Sequence, residues 1–376
     1  MFLRRGRPLQ NKVVARRMQE FFNDLPDAKR VDAQTVARDY AASLWRTEGL
    51  VRSSGLVDDK RLSRARFYVG LSIGGDHGDL AALTKRVALV SDTLLLSHES
   101  THQFHEIGLQ SASRAPRSAR TAVYDDSHQS WYGIHCPDME MLGQWVLDAE
   151  PLLKAGLAWY LPRFTTIDYA GTDGPPTDSL TRNGIRWWSL RDSERRDRVM
   201  DYLVRDGRAV DASGAEPLKS QFVRPILRIN LPFIEGCSLR DFSKITVHEF
   251  GAYSRFRDFL RQRFLDMDIA LDDTQPDREL TKLGLEIKDQ IWSARTEMDA
   301  LRRKRAVSVT GAAIGSVGAI LVAVYGPALQ AAIGALGAGG GLWGIVHAAA
   351  ENSPRSLRQD KWFYVWALQK ASGSHR

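Results

Sequence analysis

Asp92-Thr-Leu-Leu-Leu-Ser-His-Glu-Ser-Thr-His102 supports two readings that exclude each other. Residues 92–97 are a short apolar run between polar neighbours, the pattern of a buried strand. His98-Glu99-Ser100-Thr101-His102, at its end, fits the HExxH pattern of zinc-dependent hydrolases. That motif functions on a helix, where histidines at i and i+4 reach one metal from one face and the glutamate between them activates water. Ser100 and Thr101 compete for backbone hydrogen bonds and weaken a helix at that point. A zinc site also requires a third ligand. His105, His128, His135, Cys136 and Glu140 are the candidates, and no spacing singles one out. Six of the nine histidines fall between His77 and His135, which keeps a metal in play. The strand reading takes precedence here. It leaves 98–136, rich in Ser, His and Arg, as a long loop in which His98→Ala is expected to behave like the parent.

Upstream, residues 9–24 and 33–47 have helical patterning. Asp32 is placed as the cap of the second helix, and Val36, Tyr40, Leu44 and Trp45 fall mostly on one face. Arg66-Phe-Tyr-Val-Gly-Leu-Ser-Ile73 is a β-rich run, and 79–90 has a helical pattern. With the 92–97 run this gives strand, helix, strand, the order of a small mixed sheet. Downstream, Met141, Leu142, Trp145, Val146, Leu152 and Leu153 predict helix before Gly156, and 157–162 predicts a strand. A second loop is expected over 165–184, a helix from Asp192, and a strand over Ile226–Leu231 closed by Pro232.

The 376 residues suffice for two structural units. The net charge of +7 favours contact with anionic surfaces, and the 40 Arg against 12 Lys point to a GC-rich bacterial genome. Two cysteines, Cys136 and Cys237, make no disulfide framework and suit a reducing cytosol. The basic stretch at 1–17 has no apolar run after it, so no secretory signal is expected and the chain is expected to begin in the cytoplasm. No phosphate-binding glycine loop of recognisable form is present.

Beyond residue 235 helical spacing dominates. Ser238 and Asp241 have capping-box spacing, and Phe242, Ile245, Tyr253, Phe256, Leu260 and Phe264 recur at helical intervals. Arg255, Arg257, Arg261 and Arg263 read as a solvated face beside that stripe, so nucleic acid is not expected as a partner. After Pro276, Leu280, Leu283, Ile287, Ile291, Ala294, Met298 and Leu301 form a second stripe, which ends in Arg302-Arg-Lys-Arg305.

From Ala306 to Ala350 there are 45 residues without Asp, Glu, Lys or Arg. Gly326-Pro327 divides the run into halves of 20 and 23 residues, each long enough to cross a hydrocarbon core of about 30 Å. Basic residues flank both ends, which keeps both ends cytoplasmic. Gly311, Gly315 and Gly318 share one helical face, Gly337, Gly341 and Gly344 repeat the spacing, and small-residue faces let helices approach closely. Trp362, Tyr364 and Trp366, between Lys361 and Lys370, have the composition of a membrane-interface anchor or of an ordinary core helix. The run is rich in Ala and Gly, so a buried hairpin in a soluble bundle competes with a membrane hairpin.

The chain is thus read as α+β, with a soluble domain over 1–235 and an amphipathic arm over 236–305. A hydrophobic hairpin over 306–350 and an aromatic, basic tail over 351–376 complete it. This layout suits an intracellular bacterial effector whose hairpin inserts into or docks on the inner membrane, with lipid as its partner and self-association through the glycine faces. The alternatives are a zinc-dependent hydrolase with His98 and His102 as ligands and Glu99 as general base, and a soluble structural protein.

Overall fold

β1 (Tyr68–Ile73) and β2 (Thr93–His98) are buried at every position, so neither strand shows the alternation of a half-exposed sheet. Such runs belong to the middle of a parallel sheet covered on both faces. They pair in parallel, Tyr68 opposite Thr93 through Ile73 opposite His98. The crossover between them is a helix (Leu80–Val87) capped by the Asp79 carboxylate, which accepts from the Ala82 N–H at 2.9 Å. The computed structural model describes residues 11–46, 68–74, 79–98, 103–111, 129–169, 185–188, 200–205, 208–211, 217–267, 278–293, 296 and 360–373. Hairpin 306–350, its six glycines, Glu99, His102, His128 and the helix expected from Asp192 lie outside them. Among the described residues no helix is long and apolar enough to cross a membrane.

The chain divides into two units, Met1–Ser220 and Gln221–Arg376. In the first, α1 (Lys12–Asp24), α2 (Ala33–Arg46) and the Leu80–Val87 helix, α3, accompany a five-stranded sheet of order β5-β2-β1-β8-β9. β5 (Ala158–Tyr160) and β8 (Tyr202–Arg205) run parallel to their neighbours, and β9 (Arg208–Asp211) is antiparallel at one edge. α4 (Met139–Asp148) and α5 (Glu150–Lys154) precede β5 and pack on α2 and α1 respectively. α2 begins where expected, since Asp32 accepts from the Gln34 and Thr35 N–H groups. α2 also lies so close to α4 that a Cβ at Gly143 would sit 1.7 Å from the Ala33 carbonyl oxygen.

The expected loop at 98–136 is corrected in part, because β3 (Phe104–Ser111) and β4 (Gln129–His135) are strands. β6 (Arg163–Tyr169) likewise replaces the start of the loop expected at 165–184, and β7 (Ile185–Trp188) follows. These four make a separate antiparallel sheet of order β3-β4-β6-β7. A register shift between Glu106 and Gly108 breaks the two-residue period that would have disclosed β3. The mixed sheet and the many helices agree with an α+β chain.

In the second unit the strand expected at 226–231 is overturned. Residues Pro217–Arg228 form a helix, α6, that buries Phe222, Val223 and Ile226 at helical spacing. α7 (Pro232–Glu235), α8 (Leu239–His248) and α9 (Phe250–Asp266) follow, with Ser238 capping α8 through the Asp241 N–H. On α9, Tyr253, Phe256, Leu260 and Phe264 are buried as expected. Arg257 and Arg261 are corrected from solvated to buried, at 6 % and 7 % exposure, because their places at i and i+4 fall on the edge of that stripe. Arg257 also lies over the Tyr253 ring, 5.5 Å from its centroid. Residues 278–293 form α10, with Leu280, Leu283, Ile287 and Ile291 buried. α11 (Lys361–Gly373) packs against α7, α8 and α9, and the Tyr364 hydroxyl bonds the Thr246 hydroxyl at 2.8 Å.

At the β5 edge, the Tyr40 hydroxyl donates to the Tyr160 carbonyl at 2.7 Å and accepts from the Tyr160 N–H at 3.1 Å. One side chain of α2 thereby satisfies both backbone groups that the last residue of the strand turns away from β2. Tyr40→Phe should lower unfolding free energy by about 2–4 kcal/mol, because two buried backbone groups lose their partner. Urea denaturation of the parent and variant measures this, and a loss well under 1 kcal/mol would contradict it.

Candidate functional site

The C-terminal ends of two parallel strands bring a histidine and a tyrosine together. His98 closes β2 and Tyr160 closes β5, so the two reach the same rim of the sheet. His98 Nδ1 and the Tyr160 hydroxyl are 2.8 Å apart, with ring centroids at 5.6 Å. Tyr160 also hydrogen-bonds the Cys136 thiol, which in turn donates to the Asp138 carbonyl at 3.3 Å. Burial pushes the Cys136 thiol up to about 11 against the hydrogen bonds that favour its thiolate. At neutral pH it is a protonated, inert thiol.

His98 is 1 % exposed, and its backbone is strand rather than helix. The helical i, i+4 presentation that HExxH requires is therefore absent at the first histidine, and the long-loop setting expected for His98 is corrected to a buried strand end. Cys136 shares the Tyr160 hydroxyl with His98. His105 engages the Cys136 carbonyl through Nε2 at 2.9 Å, and His135 lies opposite Phe104 in the β3–β4 ladder. Glu140 is exposed in the first turn of α4. Among the described residues no group of three or more His, Cys, Asp and Glu side chains is placed to hold a metal ion. Chemically, the cluster supplies a hydrogen-bonded link between the ends of β2 and β5.

A second feature of this rim follows from topology. After β1 the chain adds β2 and then β5 on one side, then returns to place β8 on the other. Strand order thus reverses between β1 and β8, where open parallel sheets take their ligands, outside the carboxyl ends of the strands. Ile73 pairs with Val204 at this point, and the Gly74 N–H donates to the Val204 carbonyl at 2.9 Å. The signal missed in the sequence is the glycine pattern Gly74, Gly75 and Gly78 directly after β1 and before the α3 cap. It departs from the G-x-G-x-x-G fingerprint, since Ile73 stands where the first glycine would be.

The expected interface residues take different environments. Trp362 and Tyr364 are buried within the helical unit, and Trp366 is half-buried with Lys370 over its ring. No family model matches the chain, and neither a curated protein nor a solved structure matches it.

Because His98 is a buried partner of Tyr160, His98→Ala should cost about 2–4 kcal/mol of stability through a cavity and a lost hydrogen bond. In a double-mutant cycle with Tyr160→Phe, the coupling should be about 1 kcal/mol, and coupling near zero would show that the bond contributes nothing.

Proposed function

We propose that the protein is a membrane-associated effector of bacterial type. Its α/β unit is the regulatory part, and the 306–350 run forms a helical hairpin that inserts into the inner membrane. The observation that carries this reading is how the run is bracketed. α10 before it and α11 after it belong to one helical unit. α10 is tied to α9 by the Arg263–Glu286 ion pair, and Lys361 of α11 lies 4.1 Å from the centroid of Phe259 on the same helix. A charge-free run that leaves and re-enters one packed unit must return to the side it left. Two spans with a turn at Gly326-Pro327 meet that requirement, and a single span does not.

The glycine faces supply the contact between the two spans. The crevice between β1 and β8 is the place at which a ligand would act on the α/β unit. The hydrolase reading ranks below this one, because His98 Nδ1 is engaged by Tyr160 and the residue is buried.

In cell fractionation the full chain should pellet with membranes and resist a high-salt wash, and the variant lacking 306–350 should stay in the supernatant. A full chain that is monodisperse without detergent would select the buried hairpin instead. Gly315→Leu and Gly341→Leu should each abolish any membrane permeabilisation by the full chain, measured as dye release from vesicles, because a large side chain separates the two helices. Release equal to the parent in both variants would show that the matched spacing is incidental.

A further inference from the structure

α10 carries apolar residues on two opposite faces. Leu280, Leu283, Ile287 and Ile291 are buried in the helical unit. Leu285 and Trp292 point the other way and are 55 % and 71 % exposed. Seven residues apart, they lie two turns from each other on one side of the helix. Lys288 and Asp289 stand between them and are exposed. A large indole held in water two turns from an exposed leucine is the kind of surface that a protein covers with a partner.

The position of this face along the chain indicates which partner. Thirteen residues separate Trp292 from Ala306, and four of them are Arg302, Arg303, Lys304 and Arg305. Even fully extended, that stretch spans at most about 50 Å. On the return side, ten residues separate Ala350 from Lys361, whose ammonium is close enough to Glu286 of α10 to interact with it electrostatically. α10 is thus tethered to the membrane entry and exit points from both sides. Its outward face combines an indole, an aliphatic side chain and one charge of each sign, Asp289 and a lysine long enough to reach a phosphate, and the indole and lysine are the groups that settle at a headgroup layer. The basic tetrad next to it selects anionic lipid.

We propose that the Leu285–Trp292 face of α10 lies against the headgroup layer of an anionic bilayer and fixes how the helical unit sits on the membrane. The proposal rests on the reading of 306–350 as a membrane hairpin.

Cys136 and Cys237 are buried, so a single added thiol can be labelled selectively. Full-length Trp292→Cys and Leu285→Cys variants, each carrying a nitrobenzoxadiazole fluorophore, would be reconstituted with vesicles of phosphatidylcholine alone or with phosphatidylglycerol. Flotation reports insertion. The expected result is flotation together with a blue shift at both positions, and quenching by headgroup-proximal doxyl lipid, stronger in the phosphatidylglycerol vesicles. Flotation with both labels unshifted and unquenched overturns the docked face and leaves the hairpin standing. Failure to float overturns both. A blue shift without lipid that grows with protein concentration shows a second copy on this face and overturns the proposal. An equal response to both vesicle types overturns its anionic selectivity.

Discussion

Tyr160 is bonded at each of its polar ends, and the α/β unit is organised around that fact. Its backbone N–H and carbonyl are both satisfied by the Tyr40 hydroxyl of α2, and its own hydroxyl meets His98 Nδ1. The first pair closes the exposed edge of a parallel sheet, where unpaired backbone would otherwise invite another strand. The second joins the ends of β2 and β5 at the rim of the sheet. Burial raises the Tyr40 phenol well above its ordinary range, so it remains a protonated donor across the whole physiological span. Close packing reinforces the same edge. Gly143 brings α4 against the start of α2, and Gly156, with φ of 69°, carries the chain past Asn11 where a Cβ would lie 2.3 Å from its carbonyl oxygen.

The carboxyl ends of β2 and β5 carry the His98–Tyr160 pair. The histidine that opens HESTH ends β2, buried and hydrogen-bonded to Tyr160. The strand order reverses between β1 and β8, the place at which open parallel sheets take ligands. In the proposed account the two roles are separate. The His98 cluster holds the rim together, and the crevice receives a ligand.

Legibility in the sequence followed burial. β1, β2 and α1 to α4 were readable because their apolar residues are continuous or helically spaced, and Asp32 marked the start of α2. β3 and β4 were not, because a register shift and the polar content of Phe104–Ser111 remove the alternation that marks a strand. Ile226–Leu231 misled in the opposite direction. Its alternate apolar residues match a strand, yet Phe222, Val223 and Ile226 together form the buried face of α6, which accommodates Pro225 within it. The arginines of α9 were misassigned because a long aliphatic stem can be buried beside aromatic rings while spacing alone suggests solvent. Of the candidate site, His98 was visible and its partner Tyr160 was not, since the two are 62 positions apart and meet through the parallel pairing of β2 and β5.

The central claim is that both ends of the 306–350 run stay on one side of a membrane. It is tested most directly by mapping topology in intact cells with a membrane-impermeant thiol reagent. A cysteine in place of Gly326, at the turn, should react from outside once the outer envelope is permeabilised. A cysteine in place of Ser374, just beyond α11, should react only after the inner membrane is opened. Reaction of both positions from the same side without opening the inner membrane, or of neither, would contradict the hairpin.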